Sequence, residues 1–300
     1  MKIVGYTSEH QKDVINCLKR NYKWMSEKSD SELIQWIDPI INYTWEREFT
    51  AEQFPYKKGM VLLNDEGKTV GYLGLIYSRQ LVNQKYKTIV NPTTWAIDEE
   101  YRSEIFKCIY YVQQTADIVL DFTARQSLVE IFTNMFQYQN VDTIGCFFLP
   151  KPFLGKRKIR IQEVSTSDQI ENSFIRKIYD DHRLYGIKCV GVSDNNTKEY
   201  LFYKIIKKAT VLKGILPLNG IYVLYTSDNL FFGTYAREII WKLQKKERAV
   251  LKTDSRFFNI SQDEWKNLRI YPINRLVYGE DDYGEKMGSI YTELSILLNE

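Results

Sequence analysis

The sequence predicts an α/β protein with two tandem domains, each built on a mixed β-sheet. Three observations support this fold class. The chain of 300 residues is about twice the common domain length of roughly 150. A β-hairpin signal is followed by alternating strand and helix signals, which is typical of α/β domains. The same order of elements recurs in the second half, so we expect domains at 1–150 and 165–300, joined by a linker at 151–164.

The first half begins with a short strand and two helices and then shows the clearest local signal. Residues 59–78, GMVLLNDEGKTVGYLGLIYS, place two apolar runs on either side of a turn in which Gly67 supplies a positive φ. The next strand, YKTIVNPTTWAI, crosses Pro92, which predicts a bulge or bend there. An amphipathic helix, a strand at 117–122, a second helix and a strand at 143–149 complete the predicted first domain.

The second half repeats this plan. A helix, a hairpin, a strand, a helix at 227–246 and a closing strand follow the linker, and a C-terminal helix is predicted near the chain end. Asp98 to Arg125 spans 27 positions in the first half, and Asp228 to Arg256 spans 28 in the second. Sequence identity between the halves is low, so what repeats is the order of strands and helices rather than the sequence. Two copies of one α/β fold explain it best.

Composition excludes several classes of function. The 41 basic and 38 acidic residues give a net charge of +3, too balanced to favour nucleic acid as the partner. The sequence has no run of 18 apolar residues that would predict a membrane span, and its N-terminus lacks the apolar core of a signal peptide. We therefore expect a cytoplasmic protein. Four scattered cysteines and two histidines provide no ligand spacing for a metal, and none is expected.

The order of elements resembles the GNAT acetyltransferase superfamily. Residues 95–109, WAIDEEYRSEIFKCI, resemble the family's strand-to-helix junction, whose usual form V-x-P-x-Y-R-G-x-G-x-G/A holds the pyrophosphate of acetyl-CoA. Arg102 falls on the first position of the signature, and Ile105 and Lys107 stand where its glycines belong. Phe132 falls on the position of the tyrosine that many members use as general acid. The resemblance implies acetyl-CoA as co-substrate, bound by these residues: Thr94, Trp95, Ala96, Ile97, Arg102 and Ser103.

The residues of this junction predict weak binding of the cofactor's phosphates. Side chains at the glycine positions keep the backbone away from an anion, although the helix dipole and free N–H groups remain. Asp98, Glu99 and Glu100 add negative charge beside the site. Two explanations stay open: Arg102 replaces the amide cradle, or the first copy is structural and the second has taken over binding.

Three residues are candidates for the base that accepts a proton from an amine. Glu46 and Glu48 lie in YTWEREF, a region that the GNAT resemblance places over the acceptor site. His182 lies at a helix end beside Asp180 and Asp181, where a carboxylate is expected to orient its ring and raise its pKa. Alternatively, Glu46 and Glu48 are solvated loop charges, and His182 is a histidine favoured by the helix dipole.

The sequence thus favours an acyl-CoA-dependent N-acyltransferase. The tandem plan and the closing GSIYTELSILL resemble acyltransferases of bacterial surface-polysaccharide pathways, which implies an amino-sugar nucleotide as acceptor and direct transfer without a covalent intermediate. Two alternatives stay open. One is a catalytically silent tandem module that binds a nucleotide-sugar or a protein. The other is an aminoacyl transferase resembling the paired domains of FemAB-type ligases.

Overall fold

Two mixed β-sheets organise the chain. The computed structural model describes residues 1–141, 143–211, 216–260, 268–279 and 288–297, and within them each sheet has seven strands. The chain forms two compact units. Unit 1 holds Met1–Asn140, Tyr291–Leu297 and a strand at 276–278, whereas unit 2 holds the described part of Val141–Asn274 and residues 288–290. The predicted fold class, two α/β domains with mixed sheets, is confirmed.

Unit 1 contains the first sheet, in the order β1-β2-β3-β4-β5-β14-β6. Its strands are β1 (Lys2–Gly5), β2 (Met60–Leu63), β3 (Thr69–Val82), β4 (Lys85–Ile97), β5 (Ile118–Asp121), β6 (Gln139–Asn140) and β14 (Leu276–Tyr278). Its helices are α1 (Gln11–Asn21), α2 (Lys23–Ser26), α3 (Asp30–Ile41), α4 (Ile105–Thr115), α5 (Gln126–Phe136) and α9 (Glu293–Leu297). Among the described strands of this sheet, β4 and β5 alone run parallel, which makes the sheet mixed.

Unit 2 contains the second sheet, in the order β13-β7-β12-β11-β10-β9-β8. Its strands are β7 (Gly145–Phe148), β8 (Arg160–Glu163), β9 (Ile187–Ser193), β10 (Lys198–Val211), β11 (Leu216–Thr226), β12 (Val250–Asp254) and β13 (Leu268–Tyr271). Its helices are α6 (Ser173–His182), α7 (Asn229–Thr234) and α8 (Ala236–Glu247). One apolar face of the sheet packs against α8 and forms the core of the unit.

The predicted hairpin is confirmed. Strands β2 and β3 pair antiparallel, and Gly67 in the turn between them has φ +78°. One of the helices expected before the hairpin is α3, which begins at a capping box formed by Ser29 and Glu32. Pro39 lies inside α3 without ending it.

The bulge expected at Pro92 lies two positions later. Pro92 itself pairs with Leu75 in β3, and the register shifts only between Gly74–Thr93 and Tyr72–Ala96. Two residues of β4 therefore face one residue of β3 at this point. Because β4 pairs with β5 only through Val90, a proline beyond that residue interrupts no ladder on the β5 side.

The strand predicted at 143–149 does not close the first half. It forms β7, which pairs with β12 on one edge and β13 on the other, and its Cys146 and Phe148 lie in the core of unit 2. The corresponding place in the first sheet is taken by β14, between β5 and β6. Local alternation specifies a strand but not its partner, so the prediction followed chain order.

The predicted linker at 151–164 also contains structure. Arg160–Glu163 forms β8, which pairs antiparallel with β9 and so belongs to the second sheet. Together with β7 and β14, this gives the two units bounds that differ from the predicted 1–150 and 165–300. The helix predicted over 227–246 is divided into α7 and α8, with Tyr235 between them.

Candidate functional site

The parallel strands β4 and β5 separate part-way along their length. They pair only at Ile89–Ile118 and Val90–Val119, although β4 continues to Ile97. Beyond Val90, β4 is paired with β3 on one side and, in the described residues, with no strand on the other. The carboxyl ends of parallel strands are where open α/β sheets bind ligands. The opening between β4 and β5, here named the β4–β5 cleft, is therefore the candidate site.

A β-bulge turns β4 towards this cleft. Two residues of β4, Thr94 and Trp95, lie opposite the single residue Leu73 of β3. Thr94 has φ +56°, which is rare for a β-branched residue. The Tyr22 hydroxyl donates a 2.6 Å hydrogen bond to the carbonyl of Trp95 and holds the bulge in place. Strained backbone of this kind is concentrated at functional sites.

Two adjoining cavities open from the cleft. The first has a volume of about 420 Å³ and a polar wall that includes Asp121, Thr123 and Arg125. The second, of about 400 Å³, lies between α4 and α5 and has an apolar wall. Its lining residues are Trp95, Ile97, Arg102, Ser103, Ile105, Phe106, Leu128, Ile131 and Phe132. The first cavity can hold a reacting polar group, and the second can hold a largely apolar one.

Asn91 holds the strands at the point where they separate. This fully buried side chain donates from Nδ2 to the carbonyl of Leu120 at 2.7 Å, in place of a backbone pairing between β4 and β5. Its Oδ1 accepts the backbone N–H of Glu293 at 2.9 Å. Asn91 therefore joins both strands of the cleft to the helix α9.

Asp121 places a carboxyl group at the base of the polar cavity. It ends β5 and is 4% exposed, and its Oδ1 accepts the backbone N–H of Thr123 at 3.3 Å. Burial, followed by the negative charge of Glu293, raises the pKa of Asp121 from 3.8 to about 7. A carboxyl group that exchanges its proton near neutral pH inside a cleft is a candidate general base.

The residues predicted to bind the cofactor lie around these cavities. Thr94, Trp95 and Ile97 line them, whereas Ala96 is buried and its carbonyl accepts the Cys17 thiol at 3.7 Å. The remaining two predicted residues, Arg102 and Ser103, line the apolar cavity. Their role in binding stays a prediction.

The junction after β4 forms a 3₁₀ helix, Glu99–Glu104, that leads into α4. Arg102 is 67% exposed and lies 3.6 Å from the carboxylate of Glu99. Ile105, at a glycine position of the GNAT signature, lines the apolar cavity with its side chain. An anion here would be held by side chains such as Arg102 and Ser103 rather than by a glycine cradle.

Glu46 and Glu48 lie outside the two cavities. They form a 3₁₀ turn, Glu46–Glu48, in which the Glu46 carboxylate pairs with Lys57 at 2.5 Å. The neighbouring Trp45 and Phe49 are buried in the apolar interior. Glu46 as a base stays a prediction, but its carboxylate is already neutralised by a lysine.

His182 lies in the interior of unit 2. It is fully buried, and the distance from its Nδ1 to the carbonyl of Ile178 is 2.8 Å. Burial lowers the pKa of His182 from 6.5 to about 3. The predicted rise in its pKa is therefore wrong, because burial, together with the positive charges of Lys177 and Lys204, outweighs the hydrogen bond with the carbonyl of Ile178. The cleft in unit 1 does not contain this residue.

The corresponding edge of unit 2 is filled by aromatic side chains. Parallel strands β11 and β12 pair from Gly220–Val250 to Tyr222–Lys252, and β11 continues beyond this pairing as β4 does. There α7 packs on the 3₁₀ helix that follows β12, with the rings of Phe232 and Phe258 6.2 Å apart. Both rings are at most 1% exposed. A Cβ on Gly233 would meet the carbonyl of Phe258 at 3.0 Å.

No group of three or more histidine, cysteine, aspartate or glutamate side chains in the described residues could hold a metal ion. The four cysteines are buried thiols, and burial raises the pKa of Cys17 to about 12. No helix in the same part of the chain is long and apolar enough to cross a membrane.

Sequence reasoning missed Asn91, Asp121 and Glu293. Asp121 had a usable signal, because it ends the apolar run DIVLD on the strand that follows the junction. Asn91 and Glu293 had none, because their contact joins positions 202 residues apart.

The fold is similar to that of solved N-acetyltransferases. A GCN5-related N-acetyltransferase from Anabaena variabilis is 12% identical over 92% of this chain and 71% of its own, with a TM-score of 0.56. A second, from Kribbella flavida, is 8% identical with the same two coverages and a TM-score of 0.55. No protein-family model and no curated protein matches the sequence. The chain therefore has the fold of the GCN5-related N-acetyltransferases, with two such domains in tandem.

Proposed function

We propose that unit 1 is an acyl-CoA-dependent N-acyltransferase whose reaction takes place in the β4–β5 cleft. One observation carries this proposal: a buried carboxyl group, Asp121, lies where two parallel strands separate into a polar and an apolar cavity. A carboxyl of raised pKa suits proton removal from an ammonium group. The tandem GNAT fold supports the same reaction class.

The residues present fit an acyl-CoA. The apolar cavity of about 400 Å³ suits the slim pantetheine arm, which would lie against Trp95 and Ile97 of the unpaired part of β4. Arg102 and Arg125 offer cations for the phosphates in place of the glycine signature. Glu99 competes for Arg102, but their ion pair is exposed and therefore weak. Unit 2, whose equivalent edge is filled by Phe232 and Phe258, supports the active site less well.

In the proposed reaction, the amine nitrogen of the acceptor attacks the thioester carbonyl. Asp121 takes the proton that the nitrogen loses as the C–N bond forms, and the C–S bond then breaks to release the CoA thiolate, which a proton neutralises. No covalent intermediate on the protein is required. We propose acetyl-CoA as donor, an amino sugar of a surface-polysaccharide precursor as acceptor, and a cytoplasmic location.

The second candidate is a silent module that binds a ligand without acyl transfer. Phe132 favours it, because this residue has no hydroxyl to serve as general acid and its ring lines the apolar cavity. The Tyr22 hydroxyl lines the polar cavity, but it is engaged by the carbonyl of Trp95.

Release of free thiol from acetyl-CoA, measured with a panel of amines that includes nucleotide-linked amino sugars, separates the candidates. We expect turnover in the wild type and a loss of about 100-fold or more in Asp121→Asn with acetyl-CoA affinity retained. Glu238→Gln, which alters a buried carboxylate of unit 2, is the control and should retain turnover. Binding without turnover on any amine favours the silent module, and full activity of Asp121→Asn contradicts the assignment of the base.

A further inference from the structure

The C-terminal segment Tyr291–Leu297 contributes a second buried carboxyl group to the cleft. Its backbone is fixed to β4, because the N–H of Glu293 donates to Oδ1 of Asn91. The ring of Tyr291 packs edge-on against Trp45, with centroids 4.8 Å apart. Glu293 is 5% exposed and belongs to the same unit as β4 and β5.

Thr123 links this carboxyl group to Asp121. Its hydroxyl donates to Oε1 of Glu293 at 2.6 Å, and its backbone N–H donates to Oδ1 of Asp121 at 3.3 Å. Both Asp121 and Thr123 line the polar cavity. One residue therefore holds two carboxyl groups from positions far apart in the chain.

Burial raises the pKa of Glu293, although Thr123, Arg275 and Asn91 each lower it. Its Oε2 is buried and accepts no hydrogen bond from any residue that the structure describes. The nearby cation is Arg275, which is 4% exposed and donates to the carbonyl of Phe122. Two ionised carboxylates beside Arg275 would leave a buried negative charge uncompensated, which is costly, so we expect the pair to retain a proton.

We propose that Glu293 is a positioning residue of the acyl-transfer site: through Thr123 it holds the Asp121 carboxyl in the cavity, and its negative charge favours transfer of the acceptor's proton to Asp121. The proposal rests on the proposed function of the cleft. It makes the α9 helix, which follows unit 2 in the chain, a necessary part of the site in unit 1.

The charged and titratable groups around Asp121 set the sign of the effect. Glu293 raises the pKa of Asp121, whereas the Thr123 N–H and Arg275 lower it, and Tyr138 faces it as a neutral phenol whose own pKa is raised by burial and then by Asp121. Loss of the Glu293 charge removes the raising interaction and leaves both lowering ones. The pKa of Asp121 is then expected to fall.

The test is a carboxyl ¹³C NMR titration of Asp121 in wild type and Glu293→Gln, which needs no acyl donor or acceptor. We expect the Asp121 midpoint to move down by about one pH unit or more in the variant. Glu238→Gln, which neutralises an equally buried carboxylate in unit 2, should leave it unchanged. An unchanged midpoint in Glu293→Gln overturns the proposal, whether or not the protein transfers acyl groups.

A second variant keeps the test decisive if Glu293→Gln does not fold. Glu293→Asp retains the charge but is one methylene shorter and loses the contact with Thr123, so an intermediate midpoint is expected. A wild-type midpoint in Glu293→Asp contradicts the proposal. Where turnover is found, the acid limb of kcat/KM should move with the NMR midpoint. A shift in the midpoint without any turnover in the wild type would contradict the proposed function alone.

Discussion

The backbone N–H of Glu293 donates a 2.9 Å hydrogen bond to Oδ1 of Asn91, 202 positions earlier in the chain. The same Asn91 side chain donates to the carbonyl of Leu120. One amide therefore closes the base of the β4–β5 cleft and attaches the C-terminal helix to it. The geometry of the cleft depends on contacts between three segments far apart in sequence.

Asn91→Ala is expected to destabilise the protein by about 2–6 kcal/mol. It leaves a buried carbonyl at Leu120 and a buried N–H at Glu293 without partners, each at a cost of about 1–3 kcal/mol. Chemical denaturation measures the change in free energy of unfolding. The control is Asn42→Ala, since the exposed Asn42 also makes two side-chain hydrogen bonds, and it should cost about 0.5 kcal/mol or less. Equal effects of the two variants would contradict the role of Asn91.

Asp121→Asn is expected to change how stability depends on pH. The pKa of Asp121 is raised from 3.8 to about 7 in the folded state, so between these values the folded protein binds more protons than the unfolded chain. Stability supplied by the neutral carboxyl is therefore lost as pH rises from about 4 to about 7.

Asp121→Asn has no carboxyl group at this position and therefore does not lose this stability as pH rises. Its free energy of unfolding relative to wild type should rise across the window by up to about 1.4 kcal/mol per pH unit and stay constant above it. Urea denaturation at a series of pH values measures the difference. A difference that does not vary with pH would show that Asp121 titrates normally.

His182→Gln tests the interior placement of His182. Since burial lowers the pKa of His182 from 6.5 to about 3, the unfolded chain binds the extra proton in this range. The wild type should lose stability as pH falls from about 6.5 towards 3, and the glutamine variant should lose less. The same measurement on His10→Gln, at the chain's only other histidine, gives the comparison. Parallel curves for wild type and His182→Gln would contradict the burial of an uncharged ring.

Local sequence features predicted the elements better than their assembly. The turn glycine Gly67 specifies a hairpin by itself, and the hairpin is found where expected. The strand partner of β7 and the insertion of β14 depend on non-local pairing, which alternation of apolar residues does not encode. The bulge was predicted at Pro92 but lies at Thr94. The sequence does not show that β4 lacks a partner strand on one side beyond Val90, where a proline interrupts no ladder.

The candidate site was predicted in part. The junction from Thr94 to Ser103 was recognisable by its order of strand, turn and helix, and it borders both cavities. The sequence indicated Glu46 and His182 as candidate bases, but it did not show that Glu46 pairs with Lys57 or that His182 is buried in unit 2. Asp121 gains its raised pKa from burial and from Glu293, and neither is visible in a single sequence.

Calorimetric titration with acetyl-CoA tests the central claim most directly. We expect one binding site per wild-type chain, because the equivalent edge of unit 2 is filled by Phe232 and Phe258. Arg102→Ala should weaken binding about 10- to 150-fold, since a hydrogen bond to a charged group contributes roughly 1.5–3 kcal/mol. Lys107→Ala is the matched control: this lysine lies at the start of α4 and pairs with Glu104 at 2.6 Å, but it lines neither cavity. Absence of binding by the wild type, or equal affinity of Arg102→Ala and Lys107→Ala, would contradict the claim that the β4–β5 cleft holds an acyl-CoA.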